Sequence, residues 1–295
     1  MDTDYPGDYE AAVAFLDRRI GYGIRPGLKR IEHLLGLMGD PHRSYPVIHV
    51  AGTNGKTTVV RMISDILGAH GLFTGSFTSP HLHRVEDRYA IGGTTFGKTH
   101  LARAVEDIAP FVVMQEEQFD ESPTYFELTA TAGFGAFAVD AVDVAVIEVG
   151  LGGRYDATNV VDAAVSVITG IAIDHTSYLG DTQAEIAAEK AAILKDGGAI
   201  VTGPLGSEAS DAVAARVRET SATWHPAPES FRVVSAERDE RGWQVEVQGI
   251  YDDYDDLVLG IHGRHQVTHL ATAIAACEAF FGRALDGDAV REAAD

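Results

Sequence analysis

The segment PVIHVAGTNGKTTVVRMISDIL (46–67) constrains the fold of this chain more than any other. Val47, Ile48, Val50 and Ala51 form an apolar run of strand length. Gly52 and Gly55 then interrupt it, and Val59, Val60, Ile63, Ile66 and Leu67 follow the helical period. A strand that turns through glycines straight into a helix presents consecutive backbone N–H groups, together with the positive end of the helix dipole, to an anion. Lys56 can reach the outer phosphates of a nucleotide, and Thr57 or Thr58 can offer a hydroxyl to Mg²⁺. The full G-x-x-x-x-G-K-[ST] pattern is absent, because Val50 stands at its first glycine position. The strand–loop–helix setting, more than the Gly-Lys-Thr triplet, makes Gly52, Thr53, Asn54, Gly55, Lys56, Thr57 and Thr58 a phosphate loop.

Strand and helix patterns alternate beyond this joint. Strands are expected at 46–51, 143–149, 164–173 and 198–203, and helices at 57–69, 99–109, 123–138, 182–195 and 208–219. The alternation predicts an α/β fold, a mostly parallel sheet with helices on both faces. Residues 1–45 read as a helical segment (8–20 and 27–38) packed on the main domain, and 46–295 as an ATP-binding domain. Late in the chain, FRVVSAERDERGWQVEVQGI (231–250) predicts a β-hairpin and YDDYDD (251–256) a solvated acidic patch. A last helix is expected at 265–281.

Of the 295 residues 45% are apolar, enough for a real core, and the formal charge is −21. That charge argues against nucleic-acid binding and against anionic membrane surfaces. Five lysines stand against eighteen arginines and 44 acids. This resembles the proteins of salt-loving microbes, in which concentrated counterions screen the repulsion. The single cysteine, Cys277, excludes an internal disulfide. With no signal peptide and no bilayer-spanning apolar run, the protein is expected to be cytoplasmic.

The second informative stretch is VIEVGLGGRYDATN (146–159), in which a strand delivers the carboxylate of Glu148 and breaks into glycines. A charge in a strand is costly unless it is paired or bound to a cation. At the carboxyl end of a parallel strand it faces the crevice where α/β proteins hold ligands. Glu148 is therefore placed to bind the magnesium that accompanies ATP, or alternatively to pair with Arg154. Gly150, Gly152 and Gly153 allow close approach of the chain, and Asp156 can cap the following turn or meet a substrate. Thr182 and Glu185 have capping-box spacing. Lys190, in an Ala- and Ile-rich helix, reads by itself as a snorkelling surface lysine.

The shortened loop GTNGK resembles that of the Mur ligase superfamily, which joins carboxylic acids to amino acids at the expense of ATP. Further stretches resemble its folate branch, the folylpolyglutamate and dihydrofolate synthases: TGSFTSPHL (74–82), SPTYFELTATAGF (122–134), VIEVGLGGRYDATN (146–159), DHTSYLGDT (174–182) and IAAEKAAILK (186–195). The resemblance implies a Mur-ligase-like central ATPase domain with two magnesium ions, held by Ser79, Glu148, His175 and a carbamylated Lys190. It implies a pteridine-bearing substrate against Thr124, Tyr125, Phe126 and Glu127 and against Tyr155, Asp156 and Ala157. His269 stands where the family has an adenine-contacting asparagine. GKTT departs from the Gly-Lys-Gly-Ser/Thr usual in folate enzymes.

The reaction so implied is phosphorylation of a substrate carboxylate by ATP, followed by attack of the L-glutamate amine, with Lys56, Glu148, His175 and Lys190 as the catalytic set. The acceptor would be dihydropteroate, a reduced folate or both. The rival readings are a Mur-type ligase for another carboxylic acid, a phosphate-loop regulatory module and a non-catalytic folate-binding module. Family members continue into a smaller C-terminal domain, and this one, expected to be a monomer, is expected to lack it.

Overall fold

Strand β1 (Val47–Ala51) is buried along its whole length and pairs in parallel on both sides. Its neighbours are β5 (Val144–Glu148) and β6 (Ala163–Ile168). The chain between them supplies α3 (Lys56–Ala69), β2 (Thr74–Phe77), β3 (Tyr89–Ile91), β4 (Thr94–Thr95), α4 (Lys98–Gln118) and α5 (Tyr125–Val139). Ahead of β1 lie α1 (Tyr9–Asp17) and α2 (Lys29–Leu37). After β6 come α6 (Thr176–Leu179), α7 (Gln183–Ala191), β7 (Ala199–Thr202), α8 (Ser207–Thr220) and β8 (Thr223–Pro226). The eight strands run in the order β4-β3-β2-β5-β1-β6-β7-β8, all in one direction except β3, which pairs antiparallel with both β2 and β4. This computed structural model describes residues 8–118 and 121–294.

Alternation along the strands sends side chains to two cores. Val47, Phe77, Ala145 and Ile147 face α1, α2, α4 and α5. Ile48, Val50, Val144, Val146, Val165 and Val167 face α3 and α9 (His265–Phe281). Helices therefore cover both faces, as a buried parallel sheet requires. On the α3 side the core continues into a small antiparallel sheet of β9 (Arg232–Arg238), β10 (Trp243–Gln248) and β11 (Asp253–Leu259), and α10 (Gly287–Ala294) closes it. No helix among the described residues is long and apolar enough to cross a membrane.

Several expected boundaries differ, each for a physical reason. The strand expected to reach residue 173 stops at Ile168, because the following backbone bonds to the phosphate loop: Thr53 N donates to Gly170 O, and Ala172 N donates to Thr53 Oγ1. The helix expected to end at 109 runs through Pro110 to Gln118, its buried side continuing from Ile108 and Ala109 to Val112. Packing there outweighs the hydrogen bond a proline removes. The acids of YDDYDD are solvated as expected, but the stretch also opens β11 at Asp253. Tyr254 and Leu257 turn inward, and a bulge with Asp256 in the left-handed region keeps both on the buried face. The hairpin is thus three-stranded. Short β2, β3, β4 and β8 and helix α10 escaped the sequence reading.

Candidate active site

The carboxyl ends of β5, β1 and β6 are adjacent, so three strand-end segments meet in one crevice. The phosphate loop follows β1. Gly52 (φ 149°) and Gly55 (φ 79°) take positive φ, which glycine adopts at little cost. A Cβ on Gly52 would stand 1.9 Å from Thr169 Oγ1, and one on Gly55 would stand 2.2 Å from Nε2 of His269. Thr169 Oγ1 donates to Asn54 O at 2.6 Å and Lys56 Nζ donates to Gly52 O at 3.2 Å, which closes the loop on itself. His269, on α9, thereby rests on the loop, and its Nδ1 lies 2.9 Å from Gln266 Oε1. Burial, and to a lesser degree His265, lowers the pKa of His269.

Glu148 ends β5 and is 2% exposed. Thr57 Oγ1 lies 2.9 Å from its Oε2 and 3.1 Å from Oε1, and Ser79 N donates to Oε2 at 3.1 Å. Burial raises the carboxyl pKa, opposed by the Thr57 hydroxyl and the charge of Lys56. Arg154 is not its partner. That guanidinium pairs with Glu189 at 3.4 Å instead. The result is a buried carboxylate among oxygen donors, an environment that hard cations favour. Among the described residues no group of three or more His, Cys, Asp or Glu side chains is placed to hold a metal.

His175 and Lys190 stand differently. His175 takes φ 49° at the start of α6, its side chain is 57% exposed, and its Nε2 is 3.5 Å from Asp174 Oδ2. Lys190 is 5% exposed, so the snorkelling reading fails. Burial, then the charge of Lys56, pushes its amine down to about 8. Gly153 makes this packing possible, since a Cβ there would come 3.0 Å from Lys190 Cα. The Thr182–Glu185 capping box forms at the head of α7.

Beside the crevice lies a cavity of about 400 Å³. Thr124, Tyr125, Phe126 and Glu127, at the start of α5, line it, as do Tyr155, Asp156 and Ala157 after the glycine turn. Ser79 and Pro80 line it too, so the cavity adjoins the Glu148 cluster. Two of the acids also have structural duties. Glu127 closes a capping box with Thr124 and pairs with Arg30 at 3.0 Å. Asp156 accepts from Leu151 N at 2.8 Å and from Thr158 N at 3.0 Å, so it caps the turn while lining the cavity. Sequence reading missed Ile24, Arg25, Arg88, Tyr178 and Leu179 on the same walls. They come from short, separated stretches, of which only tertiary packing makes one wall.

A strand-end carboxylate beside a phosphate loop thus adjoins an apolar cavity, which sets a candidate nucleotide site next to a candidate site for a second, partly apolar molecule. The chain belongs to the Mur ligase family, and residues 50–277 match its middle domain. Within it, the chain is 40% identical over 285 residues to the dihydrofolate synthase/folylpolyglutamate synthase of Mycobacterium tuberculosis, spanning 91% of this chain and 58% of that protein. It is also 40% identical over 211 residues to a probable bifunctional folylpolyglutamate synthase/dihydropteroate synthase of Halobacterium salinarum, spanning 71% of this chain and 25% of that one. The acid-rich, lysine-poor composition agrees with the second similarity. Among solved structures, Mycobacterium tuberculosis folylpolyglutamate synthase complexed with ADP and AMPPCP matches with TM-score 0.91 at 39% identity, covering 97% of this chain and 66% of that one.

Proposed function

We propose that the protein is a cytoplasmic, monomeric ATP-dependent ligase that joins L-glutamate to a folate-type acid, either dihydropteroate or a reduced folate. The observation that carries this reading is the junction at Ser79, where the apolar cavity meets the buried Glu148 beside the phosphate loop. An acid seated in the cavity would have its carboxylate near the transferable phosphate of a nucleotide on the loop.

The backbone N–H groups of residues 52–56 and the ammonium of Lys56 would hold the phosphates. The carboxylate oxygen attacks the γ-phosphorus as the bond to the ADP oxygen breaks, and an acyl phosphate forms. The glutamate amine then attacks the acyl carbon. Phosphate departs with the C–O bond electrons, and the amine loses a proton to give the amide. Glu148 and the hydroxyls of Thr57 and Ser79 would hold Mg²⁺, with His175 and a carbamylated Lys190 as the second group of ligands. When bound, the metal neutralises charge on the transferring phosphoryl group. The cavity's apolar walls hold an aromatic substrate and exclude water that would hydrolyse the acyl phosphate.

The test is ADP and amide formation with ATP, L-glutamate and either dihydropteroate or tetrahydrofolate. Product formation that requires both the acid and glutamate supports the ligase. ATP hydrolysis indifferent to glutamate would instead mark a regulatory ATPase, and turnover only with nucleotide-linked acids a different Mur-type ligase.

A further inference from the structure

We infer that Arg88 is the residue that receives the carboxylate of the acid substrate and presents it to the phosphoryl-transfer site, an assignment that rests on the ligase reading above. Arg88 is 6% exposed and lines the cavity. Its Nε donates to Nδ1 of His81 at 3.1 Å, while its Nη1 is buried without a hydrogen-bond partner. An unpaired buried guanidinium nitrogen is costly, and this one lies on the cavity wall, where a ligand carboxylate would complete it. His81 suits the task of holding Nε.

The position follows from the sheet edge. Thr78 N donates to the Arg88 carbonyl at 2.8 Å, which fixes Arg88 beside Ser79, whose own N–H binds Glu148. The guanidinium carbon lies 5.7 Å from the centre of the Tyr125 ring, on the cavity wall, and its charge is felt at Glu148. Arg88 thus stands at the end of the cavity that faces the phosphate loop. A guanidinium matches a carboxylate in charge and in planar geometry. It also sits in a chain of net charge −21, whose general field repels organic acids. A local, desolvated cation is what an anionic substrate needs in such a protein.

Binding of pteroate and of its carboxamide separates this role from a structural one, because the two ligands differ only in the charged group. Arg88→Gln is expected to weaken pteroate binding at least thirtyfold, to change carboxamide binding less than threefold and to leave ATP binding unchanged. Equal weakening of both ligands, or none, overturns the assignment. Failure of the unmodified protein to bind either ligand overturns the folate-type reading itself, and this assignment with it. If Arg88→Gln does not fold, Arg88→Lys, which keeps the charge and loses the fork, should still discriminate against the carboxylate by about tenfold. In the same assay His81→Leu, which frees the guanidinium to turn, should weaken pteroate alone. Wild-type affinities in both of these variants overturn the proposal as well.

Discussion

The phosphate loop ties its polar atoms to one another and to the chain beyond β6, whereas the adjoining cavity is walled by side chains from widely separated stretches. Residues 23–26, the Ser79–Pro80 pair, the head of α5, the turn after β5 and α6 all contribute to that wall. The loop is thus a local device, written in consecutive residues and shaped before any ligand arrives. The cavity is a tertiary product. Its shape depends on several elements packing together, so it can change without disturbing the loop. Nucleotide chemistry and acid selection are in this sense separable, and substitutions on the two sides should part cleanly.

The sharpest break lies on the loop side. Lys56→Ala removes a charge-assisted phosphate contact and only one weak internal bond, to Gly52 O at 3.2 Å. Turnover is expected to fall by about 10²–10³, with an unchanged melting temperature and unchanged pteroate binding. Retained ATP affinity and turnover would sink the phosphate-loop assignment.

Lys190 tests the junction between the two compartments. Lys190→Ala is expected to lose about a hundredfold in turnover, on the order of what a displaced metal ligand's partner costs. Added acetate should recover part of it, since acetate can stand in for the carbamate. Lys190→Arg should show no recovery, because a guanidinium stays protonated and cannot form a carbamate. The amine titrates at about 8, and only its neutral form reacts with CO₂. Bicarbonate should therefore raise activity increasingly as pH climbs from 6.5 towards 8, and carbon-dioxide-free buffer should abolish that rise. A fully active arginine variant would return Lys190 to a packing role.

What the sequence disclosed follows the same division. Gly52 to Thr58 and the Thr182–Glu185 box were legible because spacing over a few residues dictates their geometry. Glu148 was legible because the end of a parallel strand sets where it points, although its partners Thr57 and Ser79 lie far away in the chain. Glu127 was legible as a position on the cavity but not as the partner of Arg30, because 97 residues of chain separate the two. Arg88 left no signal at all. Its meaning arises only when β2 and β3 pair and bring it beside Ser79. The same holds for β11, whose acids are prominent in the sequence while Tyr254 and Leu257 decide its place.

The cavity side yields to a subtler change. A Cβ on Gly150 would stand 2.5 Å from Cζ of Phe126 and 3.0 Å from Asp156 Oδ2. Gly150→Ala must displace that ring or the Asp156 carboxylate, both of which line the cavity. Such overpacking typically costs about 1–3 kcal/mol. The KM for the acid is therefore expected to rise about tenfold or more while the KM for ATP stays constant. Equal changes in both would show that the two compartments are mechanically coupled.

The smallest effect is expected at His269, where α9 touches the loop. Its ring rests on Gly55 and its Nδ1 engages Gln266, so Asn in its place loses a packed imidazole yet keeps a hydrogen-bonding amide. A single neutral hydrogen bond is worth about 1 kcal/mol, and His269→Asn should shift the ATP Kd by less than about tenfold near pH 7.5. The informative axis is pH. Because burial and His265 lower the pKa of His269, the imidazole is neutral at pH 7.5 and gains its proton only in acid. The added charge beside the phosphates then favours ATP. In the unaltered protein the ATP Kd should tighten only as pH falls below the ordinary imidazole range, near 6.5, and in His269→Asn this acid limb should vanish. An identical pH profile in the two proteins would leave His269 as a packing residue on the loop, with the nucleotide held by groups elsewhere.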